Sequence, residues 1–113
     1  MRSKLRSLSK NEDFKKILNG KKISNKYVTI FFKKLSSKNE NILNISFITK
    51  KKLGNAILRN KIKRRLRNIM FEASKTLKIN FKYSYLFITK KNVFHDDYKL
   101  IKENIFNDLK NIK

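Results

Sequence analysis

The strongest chemical signal in the chain lies between Lys50 and Arg67, in the run KKKLGNAILRNKIKRRLR. Nine of its residues are basic: Lys50, Lys51, Lys52, Arg59, Lys61, Lys63, Arg64, Arg65 and Arg67. Four of the six arginines fall between positions 59 and 67, and no acid stands between Glu40 and Glu72. Lysine and arginine at this density bind polyanions, because each phosphate they neutralise releases condensed counterions. Arginine adds a planar fork that meets two phosphate oxygens at once. A helix face that is merely solvated usually interleaves glutamates that form i,i+4 ion pairs. Here arginine is mixed with asparagine instead, so the pattern predicts contact with nucleic acid.

Protein-based catalysis has no comparable support. The single histidine, His95, stands on a polar stretch before a helix and reads as a surface residue. Asp96 and Asp97 beside it read as helix caps, and two adjacent carboxylates are a weak magnesium signal. The eight acids are scattered, cysteine is absent, and two glycines cannot build a phosphate loop. The expectation is no catalytic residue and no metal ligand.

Positioning the basic run requires a small scaffold. Ser9 and Glu12 have capping-box spacing, and Phe14, Ile17 and Leu18 form one apolar face of a first helix that Gly20 stops as a C′ residue. Lys21–Ser24 reads as a short strand, Asn25 as a turn, Tyr27–Lys34 as a strand covered on both faces, Ser36–Asn41 as a hairpin loop and Ile42–Thr49 as a strand. Gly54 and Asn55 punctuate the basic run, and a long helix follows over Ala56–Leu77. Its residues Leu58, Ile62, Leu66, Ile69, Ala73 and Leu77 fall on one stripe. Asn60, Arg64, Arg67 and Asn68 fall opposite, with Lys61 and Lys63 flanking and Arg59 and Arg65 nearer the seam. Tyr83–Thr89 is another strand. A last helix follows, with Tyr98, Ile101, Ile105, Leu109 and Ile112 on its apolar stripe. The fold class predicted is α+β: a two-layer sandwich in the order α-(β)-β-β-α-β-α. The strands ending near 49 and 89, joined by a helical crossover, are candidates for parallel neighbours.

Composition sets the outer bounds. The 113 residues make one domain, read as a single nucleic-acid-binding unit with a flexible basic stretch at 1–8, and composition alone does not choose between DNA and RNA. A net charge of +22 disfavours a compact state without screening anions. No apolar run approaches the ~18 residues of a membrane span. Lacking cysteine and an apolar signal core, the chain suits the cytoplasm. Phe14, Tyr27, Phe31, Phe32, Tyr83 and Tyr85 are candidates to stack single-stranded bases. Most of them read as core, with two or three left to face a groove between the first helix and the sheet.

The residues also carry a resemblance. Lys50-Lys51, Gly54-Asn55-Ala56, Arg59-Asn60, Lys63-Arg64 and Arg67 resemble the signature of the bacterial ribonuclease P protein subunit, and Asn11–Leu18 (NEDFKKIL) resembles that family's first helix. The order of elements agrees over nearly the whole chain. The resemblance implies a ribosomal-protein S5 domain 2-like fold with a left-handed β-α-β crossover, where general rules favour a right-handed one. It implies a protein cofactor of ribonuclease P that promotes magnesium-dependent removal of the 5′ leader from precursor tRNA. In that family the RNA subunit performs the hydrolysis and holds most of the magnesium. Carried over by position, Lys50, Lys51, Asn55, Arg59, Asn60, Lys63, Arg64 and Arg67 would bind the ribonuclease P RNA. Phe14, Leu18, Tyr27 and Phe31 are assigned to a cleft for the single-stranded leader of precursor tRNA. The family often has a second aromatic where Leu18 stands, has an acid or Gln where Asn68 stands, and in many members has a turn one residue shorter at Lys52. No membrane or protein partner is implied. The alternative function is a structural RNA-binding protein or RNA chaperone, such as a small ribosomal protein. A polyanion or membrane-surface binder without a specific target ranks behind both.

Overall fold

In a computed structural model of the chain, residues 5–7, 11–34 and 43–112 are described. Their elements, in order, are β1 (Leu5–Ser7), α1 (Asn11–Leu18), β2 (Lys21–Ser24), β3 (Val28–Lys34), β4 (Leu43–Ile48), α2 (Ala56–Thr76), β5 (Tyr83–Thr89) and α3 (Tyr98–Lys110). Short 3-10 turns at Lys51–Leu53 and Lys91–Phe94 lead towards α2 and α3. The strands form one sheet in the order β1-β4-β5-β3-β2. β4 runs parallel to β5 across the α2 crossover, with Ile45 opposite Tyr85 and Ile48 opposite Ile88. β5–β3 and β3–β2 are antiparallel. The α+β sandwich predicted from the sequence is the fold observed, and its parallel pair is present.

Alternation along the strands decides what each face of the sheet meets. Val28, Ile30 and Phe32 of β3, Leu43, Ile45 and Phe47 of β4, and Tyr85 and Phe87 of β5 point to one side. There they pack against Ile62, Leu66, Ile69, Met70 and Ala73 of α2 and Ile101, Ile105 and Leu109 of α3. Removing this apolar surface from water, at roughly 25 cal/mol per Å², is the main force holding both helices on the sheet. The opposite side presents Phe31, Ile48, Leu86 and Ile88, and α1 covers it with Ile17 and Phe14. Sheet and α2/α3 make the two main layers, while the short α1 lies on the reverse face.

Three local expectations change. Residues 1–8 read as a flexible stretch, yet Leu5–Ser7 pairs in parallel with Leu43–Ile45 as an edge strand. Backbone hydrogen bonding to an open strand edge needs no apolar side-chain pattern, so the basic composition concealed it. Gly20 has no positive φ and so is not a left-handed helix stop. Its backbone lies so close to β3 that an added Cβ would sit 2.6 Å from the Phe32 carbonyl oxygen. Neither aspartate caps α3 with its side chain: Asp97 holds the N-cap position without a capping hydrogen bond, and the Asp96 carboxylate is used elsewhere. Ser9 and the 36–41 loop, also assigned from sequence, lie outside the described residues.

A polar network locks the β2–β3 turn to α3. Asn25 Oδ1 accepts hydrogen bonds from the Tyr27 and Val28 amides, an Asx turn that reverses the chain. Asn25 Nδ2 donates to Asp108 of α3 at 2.8 Å. Lys90 Nζ donates to Ser24 Oγ and to the Asn25 carbonyl, both at 2.6 Å.

Candidate nucleic-acid interface

The basic run begins where β4 ends. Lys50 and Lys51 are exposed, and the 3-10 turn over Lys51–Leu53 carries the chain from the sheet to α2. Asn55 sits at the N-cap of α2, and its Oδ1 accepts from the Leu58 amide at 2.9 Å. That bond satisfies one of the orphan donors at the helix start. Gly54 is in extended backbone, and Leu58 packs over it. Arg59 turns back: its Nε donates to the Gly54 carbonyl at 3.2 Å, tying helix to turn. A guanidinium has five N–H donors, so this bond leaves the fork able to take phosphate.

Beyond that first turn the helix divides as its periodicity predicts. Ile62, Leu66, Ile69 and Ala73 are buried, and so is Met70, which the sequence stripe omitted. Asn60, Lys61, Arg64, Arg67 and Asn68 are exposed, while Arg59, Lys63 and Arg65 are half-covered at the seams. Six of the eight residues assigned to RNA-subunit binding are exposed: Lys50, Lys51, Asn55, Asn60, Arg64 and Arg67. The first turn of α2 holds no acid, although helix N-termini favour negative charge. Cations beside the positive end of a helix dipole leave a site that an anion stabilises.

The four residues assigned to the second surface do not all come together. Phe14 and Phe31 are half-buried in one cluster with Ile17, Ile48, Leu86 and Ile88 on the α1 face. Helical geometry puts Phe14 between Ile17 and Leu18 around α1. Exposure follows that order, from 0% at Ile17 to 45% at Leu18, so Leu18 forms a rim. Tyr27 is elsewhere. It is fully buried against the α2/α3 side, and its hydroxyl donates to Asp96 at 2.6 Å. Its assignment to the groove is therefore corrected. Tyr27 precedes β3 rather than continuing its alternation, so it does not share the side of Phe31 although the two stand four residues apart. Ile48, which the sequence did not single out, joins the aromatic cluster and stands two residues before Lys50. The apolar patch of the α1 face thus runs directly into the basic turn.

Electrostatics away from this surface are structural. The hydrogen bond from Tyr27 holds the Asp96 carboxyl below the ordinary carboxylate range, with Lys26 at 3.5 Å adding to it. The same bond, with burial, pushes the Tyr27 phenol up. Burial pushes the Tyr85 phenol up as well, and its hydroxyl donates to the Asn80 carbonyl at 2.7 Å. Among the described residues no three His, Cys, Asp or Glu side chains converge on a point, and none of the helices is long and apolar enough to cross a membrane.

A basic helix ridge, an anion-ready helix start and an adjoining apolar-aromatic patch define a small α+β nucleic-acid-binding protein. Comparison with known proteins makes this specific. A sequence profile of the family described as Ribonuclease P matches residues 2–113. The ribonuclease P protein component of Carboxydothermus hydrogenoformans is 31% identical over 98% of this chain and 94% of its own length. That of Listeria monocytogenes is 32% identical over 97% and 89%. The solved structure of the Staphylococcus aureus RNase P protein superposes with a TM-score of 0.80 at 27% identity, covering 95% of this chain and 94% of that one. The Thermotoga maritima RNase P protein gives 0.79 at 28% identity, covering 96% and 98%. The chain belongs to the ribonuclease P protein family. It serves as a protein cofactor within an endoribonuclease, associates with that enzyme's RNA, and leaves catalysis to the RNA.

Proposed function

We propose that the two adjoining surfaces divide the work of precursor-tRNA maturation. The ridge of Lys50, Lys51, Asn55, Arg59, Asn60, Lys63, Arg64 and Arg67 docks on the ribonuclease P RNA. The α1 face, with Phe14 and Phe31 inside and Leu18 at the rim, receives the single-stranded 5′ leader of precursor tRNA. Bases that leave a leader's stack find aromatic surface there, while phosphates meet lysine and arginine. The protein thereby favours precursor over mature tRNA, and the RNA cuts the bond. The observation that carries this reading is the continuity of the Phe14–Phe31–Ile48 cluster with the turn that starts at Lys50.

Magnesium in this reading belongs to the RNA. Three of the described acids are already engaged: Asp96 accepts from Tyr27 and pairs with Lys26, Glu72 pairs with Lys102 at 2.9 Å, and Asp108 accepts from Asn25. The working compartment is the cytoplasm, where precursor tRNA is found.

Reconstitution tests the proposal. The protein is mixed with a bacterial ribonuclease P RNA at low magnesium, and cleavage of precursor tRNA is timed. Stimulation over RNA alone, larger for substrates with a leader long enough to cross the α1 face, is expected. No stimulation, or stimulation indifferent to leader length, overturns it.

A further inference from the structure

A pocket beyond the Leu18 rim shares no lining residue with either surface. It has a volume of about 370 Å³ and is lined by Asn19, Gly20, Lys21, Phe32, Lys33, Lys34 and Tyr83. Phe32 packs on the α2/α3 side of the sheet, whereas Phe31, one residue earlier, belongs to the α1 face. Lys21 pairs with Phe32 and Lys34 with Tyr83 across their ladders, so both lysines stand beside the rings. Gly20 shapes the wall, because its bare backbone lets the α1–β2 turn close against Phe32 and Lys33.

The chemistry of the lining is specific. Lys21, Lys33 and Lys34 are exposed, and no acid is among the lining residues. The Phe32 and Tyr83 rings meet edge to face, 5.2 Å between centroids, which fixes the aromatic wall before anything binds. A cationic mouth over a fixed aromatic wall matches a nucleotide: phosphates on the ammonium groups and the base against a ring. The volume falls in the range of small-ligand sites.

We propose that this pocket is a further RNA subsite that takes an unpaired nucleotide of single-stranded RNA. Lys21, Lys33 and Lys34 hold its phosphates, and the Phe32–Tyr83 wall takes its base. It stands apart from the leader reading, since the rings of the two places lie on opposite sides of the sheet. One protein then holds single-stranded RNA at two points.

The test is a nuclear magnetic resonance titration of the isotope-labelled full chain with a short oligouridylate. Amides of Lys21, Lys33 and Lys34 and the rings of Phe32 and Tyr83 are expected to shift along one saturable curve. The Lys33→Ala/Lys34→Ala double variant, whose changes are on exposed side chains, keeps its melting temperature. It binds several-fold more weakly at this site, with the log–log salt slope flatter by about 1.4, at about 0.7 per single-strand phosphate. Shifts confined to Phe14, Phe31 and the α2 ridge overturn the proposal. So does an equal response to inorganic phosphate, which would make the pocket a plain anion site. Equal binding of duplex RNA, whose bases cannot reach the wall, also overturns it.

Discussion

Tyr27 donates a 2.6 Å hydrogen bond from its phenol to the carboxylate of Asp96, joining the start of β3 to the segment before α3. Both groups shift in the directions such a bond requires: the acid is held down and the phenol is pushed up. A carboxylate with a lowered folded value stabilises the fold above its ordinary value of 3.8 and loses that contribution as pH falls through the folded one. A phenol with a raised folded value stabilises below its ordinary value of 10.0 and loses that contribution as pH rises through the folded one. Tyr27→Phe should therefore melt at a lower temperature than the parent at pH 7. The gap should shrink towards pH 2 and again above pH 10, followed by circular dichroism. Leader preference should be unchanged, because the ring is buried away from the α1 face.

Asn55 combines two roles that substitution can separate. Asn55→Ala removes the cap bond to Leu58 and should cost ~1 kcal/mol of stability. Asn55→Asp keeps an acceptor and suits the helix dipole, so stability should hold or rise. The added negative charge faces the docking surface, however, and should weaken RNA binding. Denaturant melts and filter binding on the same proteins distinguish the two effects.

Arg64 and Arg67 lie on the exposed ridge, and among the described residues neither side chain has a hydrogen-bond partner. Arg64→Ala and Arg67→Ala should leave the melting temperature within a degree or two and reduce affinity for the enzyme's RNA. Each lost phosphate contact should flatten the log–log salt slope by about 0.9 on duplex RNA, if the B-DNA value carries over. A slope unchanged in both variants would mean the ridge does not touch phosphate.

Phe14 is half-buried, so truncation has a stability cost and a binding cost. Phe14→Leu keeps most of the packing on Ile17 and Leu86 but removes the ring. Stacking is worth ~1–3 kcal/mol per base, so the preference for precursor over mature tRNA should fall about tenfold. An equal loss for both substrates would remove Phe14 from leader binding.

Gly20→Ala tests the close approach of the α1–β2 turn to β3. The new methyl would meet the Phe32 carbonyl at 2.6 Å and Lys33 Cβ at 2.8 Å. Backbone on one side cannot rotate away, so the strand must shift, at a cost of ~1–3 kcal/mol in a denaturant melt.

Much of this molecule was legible in one dimension. The strand β5 falls on the residues that β-branched and aromatic clustering marked, β2 on the short Lys21–Ser24 segment before the Asn25 turn, and α2 starts at Ala56 after an Asn cap, as its punctuation indicated. The ridge was legible because helical periodicity alone sorts Leu and Ile from Arg and Asn. Tyr27, Gly20 and Asp96 were misread for a shared reason. Each was assigned from residue type or local sequence, while its role depends on a residue far along the chain: the α3 segment, β3 and Tyr27 respectively.

The sequence by itself determined the charge, the helix that carries it and the spacing that marks the family, because these depend only on local periodicity and residue type. Tertiary structure decided which aromatics share a face. Phe31 and Phe32 are chemically alike and adjacent, yet the pleat sends one towards α1 and the other towards α2 and α3. It also set Ile48 of β4 beside Phe14 of α1 and Lys34 of β3 beside Tyr83 of β5, through strand register and helix packing. Those contacts form only when the whole sheet closes, which is why no stretch of the chain announced them.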